Sequence, residues 1–176
     1  EIKISEELDY EFNALSQIPF DFEIKGHENE KITTTELEGK VAKGWNLIEV
    51  YGDSVSLENM KSKVILIQFT GIGCGPCHQS IPFLKQLVLD NKDKDFELVC
   101  IEAFSENLTG MERYKDKNEL NFKFLSSKES INKDYKIRGV PTFFVLDEKR
   151  VIRKVIVGYK KGETEIEITN SINKLL

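Results

Sequence analysis

The chain has 176 residues, 40% hydrophobic and 31% charged, which suits one soluble globular domain with a sizeable core. A net charge of −5 argues against a nucleic-acid surface, which needs a dense basic face. No run approaches the roughly 20 apolar residues of a membrane helix, and three cysteines are too few for a disulfide scaffold. No signal peptide is visible, but a chain that begins at Glu1 carries no information on compartment.

Residues 1 to 40 form an N-terminal, β-rich extension in this reading, and residues 41 to 176 form the main domain. Phe20, Phe22 and Ile24 alternate with charged residues, as in a half-buried strand. Gly26 to Glu30 is a turn and Lys31 to Thr35 a β-branched return strand, so a hairpin is expected. His27 is a solvated turn residue among polar neighbours.

Asn46 to Tyr51 is a short strand, Gly52-Asp53 a turn, and Leu57 to Met60 a helical turn. Lys63 to Phe69 (KVILIQF) is nearly all apolar and predicts a strand covered on both faces. Beyond Cys77, Ile81, Leu84 and Val88 fall at helical spacing, as do Phe83 and Leu87, with a kink expected at Pro82. Phe96 to Ile101 is a strand. Leu108 to Leu120 is a helix with Asn107 or Thr109 near its start. Phe122 to Leu125 is a short extended piece, and Lys128 to Tyr135 a helix.

Val140 to Leu146 and Val151 to Val157 form a hairpin around Asp147 to Arg150. Ile168, Ile172, Leu175 and Leu176 stripe a last helix. The order from residue 63 is β-α-β-α-α-β-β-α. It predicts an α/β sandwich of parallel strands closed by an antiparallel hairpin.

The chemistry concentrates in GIGCGPCHQS, residues 71 to 80. As C-x-x-C-H, it fits covalent attachment of a c-type haem. As C-G-P-C, it fits a redox dithiol. Haem would need an axial ligand opposite His78, and Met60, Met111 and His27 stand in no suggestive context.

A dithiol needs one thiolate made easy to form. A strand ending before Cys74 and a helix starting at the pair supply that, because free N–H groups and the helix dipole face the Cys74 sulfur. Pro76 suits the first helical turn, and Gly75 leaves the approach to Cys74 open. His78 is then an exposed first-turn residue whose charge can tune the thiolate. A zinc site from Cys74, Cys77, Cys100 and a histidine lacks the paired spacing such sites use.

The strand VILIQF, then CGPC opening a helix, then IRGVPTFFV from Ile137 to Val145, resembles the thioredoxin superfamily. The lead-in DSVSLENMKSKVILIQFTGIGCGPC resembles more narrowly the TlpA/ResA-like thiol-disulfide oxidoreductases of bacteria. The resemblance implies a thioredoxin fold, with a central mixed sheet flanked by helices, over roughly residues 46 to 176. It implies that Cys74 attacks and Cys77 resolves. It also implies that Pro141 is a cis-proline beside the dithiol and that Val140 offers its backbone to an extended substrate.

By the same resemblance the protein is extracytoplasmic, periplasmic or tethered to a membrane outside this chain. Its partners are a disulfide-containing protein and an upstream thiol reductant or oxidant. No metal or organic cofactor is needed, because two sulfurs carry the electrons.

Two departures stand out. Thioredoxins carry an acid six residues before the first cysteine, where this chain has Gln68. ResA-like proteins often carry a glutamate three residues after the second cysteine, where this chain has Ser80. The buried proton acceptor for Cys77 is absent from both places. Glu102 is a candidate substitute, although a strand-end carboxylate is expected to be solvated. Gly73 stands where many relatives have tryptophan. Cys100 reads as a small buried hydrophobe in a strand, with a third redox thiol as the alternative.

Two rival functions remain. A peroxiredoxin wants Thr or Ser three residues before its cysteine, where Gly71 stands. A binding module would use the same scaffold with an idle dithiol.

Overall fold

A computed structural model of the chain describes residues 34–176. The hairpin expected over residues 20 to 35 and the turn with His27 lie outside these residues, apart from Thr34 and Thr35. Those two form a 3-10 turn, Thr34–Leu37, rather than the end of a strand. The Thr34 hydroxyl donates to the Lys136 carbonyl at 2.9 Å. Residues 39 to 42 then run along the closing hairpin, where the Gly39 and Ala42 N–H groups donate to the Ile152 and Arg150 carbonyls.

In chain order the elements are β1 (Asn46–Glu49), β2 (Ser54–Ser56), β3 (Val64–Thr70), α1 (Gly75–Asp90), β4 (Phe96–Glu102) and α2 (Leu108–Asn118). They continue with β5 (Lys123–Ser126), α3 (Glu129–Asp134), β6 (Thr142–Leu146), β7 (Ile152–Val157) and α4 (Glu163–Asn173). The sheet runs β2-β1-β5-β4-β3-β6-β7. Strands β3, β4 and β5 are parallel, joined by α1 and α2 as crossovers. The pairs β3–β6, β6–β7, β1–β5 and β1–β2 are antiparallel.

The sheet therefore extends further than the sequence pattern indicates. The short extended piece over Phe122 to Leu125 is a full strand, β5, beside β4. The Asn46 strand turns back as β2 and caps that edge. Four-residue strands carry too little alternation to be counted alone. Their identity comes from partners distant in sequence, such as Ile48 opposite Ser126.

Strand β3 is buried along its whole length, and its alternation feeds two cores. Ile65, Ile67 and Phe69 join Trp45, Val99, Ile101, Tyr135 and Phe144 on one face. Val64 and Leu66 join Leu84 and Leu87 of α1, Met111 of α2, and Ile168 and Ile172 of α4 on the other. Gln68 points to this second face, level with Cys100 on β4. The parity of β3 thus aims a polar side chain at the underside of the helix that carries the cysteines.

Candidate active site

Helix α1 begins where β3 has just ended. Cys74 is its N-cap residue, with extended backbone (φ −87°, ψ 112°), and its Sγ accepts the Cys77 N–H at 3.2 Å. A sulfur occupies the place where a serine or aspartate oxygen usually caps a helix. An N-terminal N–H and the positive end of the helix dipole therefore favour negative charge on Cys74. Gly75 and Pro76 form the exposed first turn, where the missing N–H of Pro76 costs nothing.

Cys74 and Cys77 are joined in a disulfide, with Cα atoms 5.2 Å apart. Cys74 is partly exposed, while Cys77 is 1% exposed. The Val140–Pro141 peptide bond is cis. It brings the Val140 carbonyl to 3.6 Å from Cys74 Sγ, a contact that a reduced thiol can turn into a hydrogen bond. His78 is exposed and meets the Tyr114 ring edge-on at 6.4 Å.

The two positions that lack an acid touch each other. Gln68 Nε2 donates to Ser80 Oγ at 3.0 Å, and Ser80 Oγ donates to the Cys77 carbonyl at 2.7 Å. At the other end, Cys100 Sγ donates to Gln68 Oε1 at 2.9 Å. All four residues are buried. The result is a neutral hydrogen-bonded chain from β4 through β3 to the turn that holds Cys77, with every buried polar atom partnered. Cys100 is buried as expected, but it belongs to this chain rather than to purely apolar packing. Burial pushes its thiol well above the ordinary value, against a weaker pull from Lys115.

Glu102 differs from the sequence expectation. It is not a solvated strand-end carboxylate but is 1% exposed. Its two oxygens accept the Ile72 N–H at 2.8 Å and the Phe104 N–H at 3.1 Å. Strand β4 runs one residue further than its apolar run, which carries this side chain under the loops on both sides of the site. Those loop N–H groups need an acceptor out of water, and the carboxylate provides it.

Burial pushes the Glu102 carboxyl up from its ordinary value, while N–H bonds from Phe104, Ile72 and Ser105 pull it back in part. The folded protein therefore holds this proton more tightly than the unfolded chain. The resulting stability is fully present below the unfolded value of about 4.3 and is lost as pH rises through the raised native value. Wild type should thus lose stability relative to Glu102→Gln as pH climbs from about 4 towards neutrality. Denaturant unfolding of both proteins at stepped pH measures this difference. A wild type that gains on the variant over that range would show the sign to be wrong.

Sequence reasoning did not single out Tyr114 or Phe104. Tyr114 packs on Phe124 and His78, and burial raises its hydroxyl with further help from Cys100 and Glu102. Phe104 sits in the loop after β4. Its signal in the sequence is only that it follows a parallel strand, where α/β folds commonly place functional groups. Among the described residues no group of three His, Cys, Asp or Glu is arranged to hold a metal ion.

Comparison with known proteins agrees with this geometry. The Redoxin family model matches residues 22–172. The chain is 32% identical over 128 residues to the thioredoxin-like protein YneN of Bacillus subtilis, covering 69% of this chain and 72% of that protein. It is 29% identical over 128 residues to the thiol-disulfide oxidoreductase ResA of Halalkalibacterium halodurans, covering 72% and 70%.

Among solved structures, a thiol:disulfide interchange protein from Bacteroides sp. superposes with a TM-score of 0.66 at 21% identity, over 77% of this chain and 90% of that one. StoA from Bacillus subtilis superposes with a TM-score of 0.62 at 23% identity, over 75% and 98%. At these identities the two structures speak for the fold, and the sequence relatives speak for the chemistry. The chain belongs to the Redoxin family, as a thioredoxin-fold protein of the TlpA/ResA-like thiol-disulfide oxidoreductases.

Proposed function

We propose that this protein reduces disulfides in extracytoplasmic partner proteins, with Cys74 as the attacking thiol and Cys77 as the resolving one. The Cys74 thiolate attacks one sulfur of the partner's disulfide, and the other sulfur leaves as a thiolate and takes up a proton. Cys77, deprotonated, then attacks Cys74 Sγ in the mixed disulfide. The second partner thiol is released and the Cys74–Cys77 disulfide closes. Two electrons pass from dithiol to substrate, so the chemistry needs no further cofactor. An upstream thiol reductant resets the pair.

The observation that carries this reading is the helix cap. The partly exposed Cys74 receives the Cys77 N–H at 3.2 Å, while Cys77 itself is buried behind it. Val140, with its carbonyl beside Cys74, and the cis Pro141 suit an extended substrate strand laid across the site. Gly-Pro between the cysteines resembles the reducing members of the superfamily and favours that direction. The family likeness supports an extracytoplasmic location. Among the described residues no helix is long and apolar enough to cross a membrane, so a tether would lie outside them.

Turbidity of insulin in dithiothreitol tests the activity. Catalytic amounts of the protein should bring precipitation forward several-fold. A binding module with an idle dithiol would leave the rate at that of dithiothreitol alone.

A further inference from the structure

Phe104 is 71% exposed, yet the backbone that leads into it is held by hydrogen bonds. Its own N–H is bound by Glu102, and the preceding Ala103 donates its N–H to the Thr70 carbonyl at 2.9 Å. The Ala103 carbonyl in turn accepts Asn132 Nδ2 at 2.6 Å. The ring is therefore presented to water by a fixed loop, not by a loose one. A single exposed ring is ordinary on a protein surface; what sets this one apart is its fixed place beside the dithiol.

The ring also lies in the right place. It rests on Gly71, where an added Cβ would meet Phe104 Cδ2 at 3.1 Å and Cε2 at 3.3 Å, with Val140 Cγ2 at 3.6 Å. Val140 is the residue whose carbonyl stands 3.6 Å from Cys74 Sγ. Phe104, Gly71, Val140 and Cys74 thus form one continuous strip. A Cβ added at Gly73, Gly75 or Gly139 would meet nothing within 4 Å, so the surface around the sulfur is open to an incoming backbone. Phe104 also lines a cavity of about 340 Å³ with Ala103, Ser105, Glu106, Ser127 and Asn132.

We propose that Phe104 is a specificity-determining residue, which selects disulfides whose attacked cysteine is flanked by a large apolar or aromatic side chain. The proposal rests on the reading of the dithiol as a disulfide reductase. A flanking aromatic ring packs against the exposed Phe104 ring while the cysteine sits over Cys74. Glu102 anchors the loop that carries the ring through the Phe104 N–H, and the opposite loop through the Ile72 N–H. Aromatic pairing beyond simple burial corresponds to a preference of about two- to tenfold, to which burial of the flanking ring adds.

The test uses short peptides joined by a disulfide, with Phe or Ser placed immediately before or after the cysteine. Reduced full-chain protein is mixed with them in single turnover, and the peptide thiols released are followed by mass spectrometry. The Phe peptide should react about tenfold faster than its Ser counterpart on at least one side of the cysteine. Phe104→Ala should bring that ratio close to one, and Phe104→Leu should restore part of it. Thermal melts of both variants confirm that the exposed position leaves the fold intact. Equal rates in wild type, or a ratio that survives Phe104→Ala, would overturn the proposal alone. A wild type inert towards every peptide would overturn the reductase reading and the proposal with it.

Discussion

Cys77→Ser should accumulate a covalent complex with its substrate, and Cys74→Ser should accumulate none. The asymmetry follows from position. Cys74 caps the helix, is partly exposed and meets an open surface, whereas Cys77 is 1% exposed beneath it. Without Cys77 the first exchange still proceeds and nothing removes the adduct. Without Cys74 the accessible nucleophile is gone, and reduction should fall to the background of the assay.

Non-reducing electrophoresis of the two variants with a disulfide-containing protein compares them directly. Equal trapping, or stronger trapping through Cys77, would reverse the assigned roles. The three thiols should also separate by reactivity. In the reduced protein a small alkylating agent near pH ~6 should mark Cys74 first, because a capped thiolate persists where ordinary thiols near ~8.5 are protonated. Cys77 should follow at higher pH. Cys100, 2% exposed and with its thiol pushed well up, should react only after denaturation.

The second large effect concerns release of the mixed disulfide. Beneath Cys77 stands a neutral chain, Cys100–Gln68–Ser80, and no carboxylate among its members. With no base there, the resolving step in the parent protein should accelerate roughly tenfold per pH unit until the Cys77 thiol ionises. Gln68→Glu places a carboxylate of matching length in the same spot. It can accept from the Cys100 S–H at one oxygen, while Ser80 keeps its bond to the Cys77 carbonyl and the other oxygen is left to take the Cys77 proton through one water.

At pH ~7 this variant should resolve on the order of 100-fold faster, the lower range of general-base contributions. It should also lose several kcal/mol of stability, because a charge is buried without a cation beside it. Stopped-flow decay of a preformed mixed disulfide gives the first number and urea unfolding the second. A parent protein whose resolving step ignores pH would mean that a base is already in reach, and Glu102 would be the residue to replace next.

The amino-acid sequence by itself determined the dithiol, the strand that precedes it, the helix that it opens and the hairpin that follows Val140-Pro141. These are local properties. An all-apolar run such as VILIQF, a glycine-proline turn and a 3.6-residue stripe each act within a few neighbours, so their outcome is written in adjacent letters. The absence of an acid at positions 68 and 80 was legible for the same reason.

Only the tertiary structure decided what those two positions do together. Strand register sets Gln68 level with Cys100, and the packing of α1 on the sheet lowers Ser80 onto the Gln68 amide. Contacts of this kind join residues 12 and 32 apart in sequence, and no local pattern encodes them. Glu102 is the clearest case. A glutamate closing an apolar run reads as solvated, because burial of a lone carboxylate is costly. Here two loops bring N–H groups that need an acceptor away from water, and those groups exist only once both loops have been folded over the strand end.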